Sequence, residues 1–125
     1  MKQSQSASLV VALFLIASLA ACGPKSATPA ESFKAFYEAA KKKDASSIKR
    51  MVSKRMLAEL EAQAKKENKT LDEYLVSVEL PATMPEARNE QIEGDTASVE
   101  FKMRGELWRA IKFVREDGAW KLDSE

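Results

Sequence analysis

Residues 29–125 read as an α+β domain, with N-terminal helices packed on a curved antiparallel sheet of about four strands, cone-like in outline. Three observations predict this. Apolar residues recur at helical spacing as far as Val78, and the period changes to two after Pro85. The two prolines of "LPATMP" (Leu80 to Pro85) end the helical regime. Turn signals at Gly94-Asp95, at Gly105 and in "REDG" (Arg115 to Gly118) then cut the remainder into short runs.

The first 28 residues stand apart from this domain. Met1 to Ser6 are polar with one lysine, and Ala7 to Ala21 are apolar or small. Fifteen such residues are short of the ~20 that span a bilayer as a helix. A basic start, a short apolar middle and small residues at the end are the pattern of a secretory signal peptide, residues 1–21. The alternative reading of the run is a buried core helix. The run closes on "LAAC" (Leu19, Ala20, Ala21, Cys22), which holds the only cysteine of the chain. These four residues resemble the lipobox of bacterial lipoproteins. The resemblance implies cleavage between Ala21 and Cys22 and a diacylglyceryl group on the Cys22 sulfur. Two or three acyl chains hold a protein at a membrane where one does not, since each buried CH₂ contributes about 0.8 kcal/mol. The other possibility is ordinary cleavage after Ala20 or Ala21, leaving a free thiol. Leu19 argues against that, because it occupies a place where ordinary cleavage prefers a small residue. By the same resemblance Gly23, where an Asp would retain the protein at the inner membrane, points to the outer membrane facing the periplasm in a Gram-negative cell. Residues 22–28 form the lipidated cysteine and a tether, and the six residues "GPKSAT" extend at most ~20 Å.

The helices follow in order. Thr28 and Glu31 have capping-box spacing, with Pro29 at the first helical position. Phe33, Phe36, Tyr37 and Ala40 share a face, and Lys41 to Lys43 suit the negative end of the helix dipole. That lysine run reads as a solvated helix end; a membrane patch is the other reading. Asp44 caps a short second helix carrying Ile48, Met51 and Val52. Ser53 caps a third, with Met56, Leu57, Leu60 and Ala64 on one side. Thr70 and Glu73 repeat the capping-box spacing before Leu71, Tyr74, Leu75 and Val78.

Four strands follow. Arg88 to Glu93 is polar; Ala97, Val99, Phe101 and Met103 alternate with polar residues; Leu107 to Val114 and Ala119 to Leu122 complete the set. A two-residue turn at Arg104-Gly105 would pair Phe101 with Trp108, Val99 with Ala110 and Glu100 with Arg109. A four-residue "REDG" loop would pair Phe113 with Trp120 and Ile111 with Leu122. With Leu107, these residues would form a second apolar face beyond the one the helices cover. Leu107, Ile111, Phe113, Trp120 and Leu122 are therefore the candidates for contact with a ligand or a second subunit. A curl of the sheet onto a single core is the alternative, and a one-residue slip would move Trp120 to the other face.

Composition excludes several function classes. Cleavage before Cys22 removes Lys2, leaving 19 basic against 19 acidic residues. That balance gives no electrostatic case for nucleic acid. A single cysteine makes no internal disulfide, and the absence of histidine removes the commonest general base and metal ligand. No phosphate loop, nucleophile motif or metal-ligand spacing appears, so no cofactor is expected. Tyr37 and Tyr74 sit on apolar stripes and read as core residues with hydrogen-bonded hydroxyls.

The helix pair in "FKAFYEAAKKKDASSIKRMVS" (Phe33 to Ser53) and the closing "FVREDGAWKLD" (Phe113 to Asp123) resemble the nuclear-transport-factor-2-like superfamily, also called cystatin-like or SnoaL-like. More narrowly, the chain resembles the small bacterial lipoproteins of that superfamily. The resemblance implies a cone with a pocket at its wide end and frequent dimers through the sheet. The reading is a lipid-anchored, non-catalytic binding or assembly protein of the cell envelope, with a membrane and a homodimer or envelope protein as partners. The alternative is a small SnoaL-like enzyme using Glu100, Asp95 or Glu90 as a pocket base.

Overall fold

The computed structural model describes residues 27–124. The signal segment, Ala21, Cys22 and nearly all of the tether lie outside the described residues. Four helices precede a four-stranded antiparallel sheet, so the domain is α+β.

Local capping chemistry sets the start of each helix. α1 (Pro29–Lys41) opens on a complete capping box. Thr28 Oγ1 accepts from the Glu31 N–H at 3.2 Å, and Glu31 Oε2 accepts from the Thr28 N–H at 3.1 Å. Asp44 caps α2 (Ala45–Met51), Ser53 caps α3 (Lys54–Lys66), and a second box at Thr70 and Glu73 opens α4 (Leu71–Val76). Each such cap contributes about 1 kcal/mol. α4 ends before Val78, which is left exposed. The lysine run ends α1, as its charges suit.

The sheet is a meander, β1 (Ala87–Glu93), β2 (Thr96–Lys102), β3 (Trp108–Glu116) and β4 (Ala119–Asp123), in that spatial order. The turn at Gly94-Asp95 is as expected, with Glu93 opposite Thr96. The other two registers differ from expectation, for identifiable reasons. The β2–β3 connection spends three residues, Arg104 to Glu106, and Met103 N–H bonds the Leu107 carbonyl across it. Gly105 and Glu106 both have positive φ there. The extra residue slips the pairing by one, so Val99 faces Ile111, Ala97 faces Phe113, and Glu100 faces Ala110 rather than Arg109. The β3–β4 turn is tighter than a four-residue loop. Asp117 and Gly118, with φ of 52° and 76°, form a two-residue turn between Glu116 and Ala119. Positive φ at both positions is the type I′ geometry for which Asp-Gly is suited. Phe113 consequently faces Leu122, and Trp120 faces Arg115.

The one-residue slip between β2 and β3 puts the apolar residues of three strands on one face. Ala97, Val99, Phe101, Phe113, Trp120 and Leu122 form the main core with Phe33, Tyr37 and Val52. The Phe33 ring stacks on Phe101 with centroids 4.0 Å apart. Tyr37, only 2 % exposed, donates its hydroxyl to the Pro81 carbonyl at 2.7 Å and so ties α1 to the segment that enters the sheet. A smaller cluster of Ala39, Ile48 and Leu75 joins α1, α2 and α4.

The two edges of the sheet are managed differently. On the β4 side, Val52 makes a parallel bridge to Leu122, and the Ser53 N–H bonds the Leu122 carbonyl at 2.7 Å. On the other side β1 is exposed along its whole length. It carries a bulge between Arg88 and Gln91, with Asn89 at a φ of 51° and charges at Arg88, Glu90 and Glu93. A bulge and charges are the devices that keep an open edge from pairing with another chain.

Candidate functional site on the open sheet face

The register decides which side chains reach solvent. Of the five residues expected to form a second apolar face, Phe113, Trp120 and Leu122 are buried in the core beneath the helices, and Ile111 packs against it. Leu107 lies outside the strands and is 57 % exposed. The expected apolar contact face is therefore corrected: its residues lie on the helix-covered side, because the β2–β3 turn spends three residues and slips that pairing by one, while the two-residue slip at the β3–β4 turn leaves the faces unchanged.

The face that remains open is polar and orderly. Gln91, Ser98, Lys112 and Asp123 stand opposite one another in a single row across all four strands. A neighbouring row holds Glu93, Thr96, Val114 and Lys121, and another holds Arg88, Glu100 and Ala110. A depression of about 360 Å³ lies over the first two rows, bounded by Arg55 and Asp123 at the β4 side and Glu93 at the β1 side. Ser98 and Thr96 contribute short polar side chains to its lining.

One end of the depression is built by α3. Ser53 is 1 % exposed, and its hydroxyl donates to Asp123 Oδ1 at 2.5 Å while accepting from the Met56 N–H at 3.0 Å. Arg55 reaches the same carboxylate with Nε at 3.3 Å and Nη2 at 2.5 Å, and Nη2 also donates to the Ser124 carbonyl. Partial burial works to raise the Asp123 pKa, but the hydrogen bonds from Ser53 and Arg55 and the Arg55 charge outweigh it, so the carboxyl stays below its ordinary range. Glu116 accepts from the Lys54 N–H at 3.1 Å and brings a second carboxylate to the first turn of α3.

The other end of the face carries a second cluster. The Arg88 guanidinium lies 3.8 Å above the Trp108 ring centroid and donates through Nε to Glu100 Oε2 at 3.0 Å. Asn89 donates to the same oxygen at 2.6 Å. The bond from Asn89, then that from Arg88, holds Glu100 below the usual carboxylate range. Glu100 thus pairs with β1 and not with Arg109, which stands opposite Phe101.

The three carboxylates considered as a pocket base lie at the surface or in an ion pair, and none sits at the bottom of an apolar pocket. Glu100 is ion-paired, Asp95 is exposed beside Arg115 at 3.8 Å, and Glu90 is exposed and accepts from the Ala30 N–H at 3.1 Å. Tyr74 is half-buried on α4. Among the described residues no group of three or more His, Cys, Asp or Glu is placed to hold a metal ion, and no helix is long and apolar enough to cross a membrane.

Sequence reasoning missed Gln91, Ser98, Lys112, Asp123 and Arg55 as members of one surface. The signal that finds the β3–β4 part is the Asp117-Gly118 dipeptide, whose turn preference fixes Lys112 opposite Asp123. The arrangement can hold a polar ligand by hydrogen bonds and charge. No known family, curated protein or solved structure matches the chain.

Proposed function

We propose that the chain is a lipid-anchored protein of the bacterial cell envelope whose small domain binds or assembles without catalysing a reaction. One observation carries the reading: the only cysteine follows Leu19-Ala20-Ala21 directly after a short apolar segment behind a basic start. A thiol in that place serves as a lipid acceptor, and small neighbours admit a bulky diacylglyceryl donor. The short tether keeps the domain within ~20 Å of the bilayer. Gly23 favours the outer membrane, facing the periplasm, in a Gram-negative cell. The order of helices before a meander is what supports placing the domain with the nuclear-transport-factor-2-like superfamily, a fold-level analogy that assigns no chemistry. The SnoaL-like enzyme reading needs a carboxylate at the bottom of an apolar pocket, and Glu90, Asp95 and Glu100 have no such setting.

The test is metabolic labelling of cells expressing the full chain with an alkyne-tagged palmitate. Native chain takes up label and fractionates with membranes, and Cys22→Ser does neither. Label on the Cys22→Ser chain, or none on the native one, overturns the proposal.

A further inference from the structure

The depression on the open face has an unbalanced charge at each end. Lys112 stands opposite Asp123, yet that carboxylate is taken up by Ser53 and by the Arg55 fork. The Lys112 ammonium makes no ion pair among the described residues, and neither does the Glu93 carboxylate at the β1 end. Arg55 spends Nε and Nη2 on Asp123 and Ser124 and leaves Nη1 uncommitted among the described residues. Between the two ends, Gln91 and Ser98 present an amide and a hydroxyl from paired positions. Lys112 on β3 and Glu93 on β1 are two strand spacings apart across the sheet and one same-face step apart along it, which is about 12 Å between backbone positions. An extended peptide of two or three residues spans about 7–10 Å. The cavity volume of about 360 Å³ is at the lower end of small-molecule sites, as such a ligand requires.

We infer that this depression binds a short zwitterionic peptide of two or three residues, its carboxylate at Lys112 and Arg55, its ammonium group at Glu93, and its peptide groups over Gln91 and Ser98. This gives a ligand class to the binding role proposed above and rests on that role, though not on the lipid at Cys22. The ligand lies across the strands on the face opposite the core, with Arg55 of α3 at one end.

The experiment is a titration of the full chain in detergent micelles with trialanine, read by amide chemical shifts. Saturable shifts at Gln91, Ser98 and Lys112 are expected, with a dissociation constant on the order of 1 mM or tighter. Lys112→Met and Glu93→Gln each weaken binding by about fivefold, and Lys66→Met on the far surface of α3 leaves it unchanged. Trialanine amide, which lacks the carboxylate, is insensitive to Lys112→Met; acetylated trialanine, which lacks the ammonium group, is insensitive to Glu93→Gln. Absence of saturable shifts, or binding indifferent to Lys112→Met, overturns the inference. A chain that binds trialanine but carries no lipid keeps this inference and removes the anchor. A lipidated chain that binds nothing removes this inference and keeps the anchor.

Discussion

The two faces of the sheet are made from alternate residues of the same strands and obey different rules. Phe113 is 1 % exposed among aromatic and aliphatic neighbours, while Lys112, one residue earlier, faces solvent in a row of polar side chains. On the core face, the arrangement is held by packing. On the open face it is held by discrete pairs: Arg88 with Glu100, Arg55 with Asp123. The difference predicts that unpaired positions of the open face such as Lys112 tolerate substitution, whereas positions of the core face such as Phe113 do not.

Substitution of adjacent residues gives the largest contrast. Phe113→Ala is expected to cost about 3–5 kcal/mol, visible as a lowered urea midpoint, because it empties the centre of the main core. Lys112→Ala should leave the midpoint where it is. Equal effects from the two would mean that the faces are not distinct.

Ser53 joins the faces, since it is buried beneath the sheet edge yet bonded to Asp123 at the rim of the open face. Ser53→Ala removes the α3 cap and that hydrogen bond together, with an expected loss of about 1–3 kcal/mol. Ser53→Thr, which keeps the hydroxyl, should recover part of it. Gly118 holds the β3–β4 register, and its φ of 76° is strained for any residue with a Cβ. Gly118→Ala should cost about 1–2 kcal/mol by thermal melting, although no atom lies close enough to clash. A neutral result would show that the turn does not set the pairing.

The smallest effect is one of pH. The Asp123 pKa is depressed in the folded chain, so its contribution is present above the unfolded value of about 3.9 and is lost as pH falls through the lower folded value. The stability gap between native chain and Asp123→Asn should therefore be widest near neutrality and close below about pH 4. A gap that widens on acidification would contradict the Arg55–Asp123 arrangement.

Local chemistry was legible in the sequence, and lateral pairing was not. All four caps follow from Thr28, Asp44, Ser53 and Thr70, because a cap needs only a side chain and the next three residues. The alternation in β2 likewise marks Val99 and Phe101 as core. The β3 faces depend on whether the turn after Lys102 spends two residues or three, a difference that periodicity does not record. An assumed two-residue turn sends Ile111 and Phe113 to the wrong side, and with them the whole expected contact face. The polar depression was hidden for the same reason, since Gln91, Ser98, Lys112 and Asp123 become neighbours only once three registers are correct.

The proposal that the domain is held at a membrane rests on Cys22 as the lipid attachment point. Mass spectrometry of the mature N-terminal peptide tests this directly. The expected result is a chain that begins at Cys22 and carries a diacylglyceryl thioether on its sulfur. A mature chain that begins at an unmodified Cys22, or at any other residue, would contradict it.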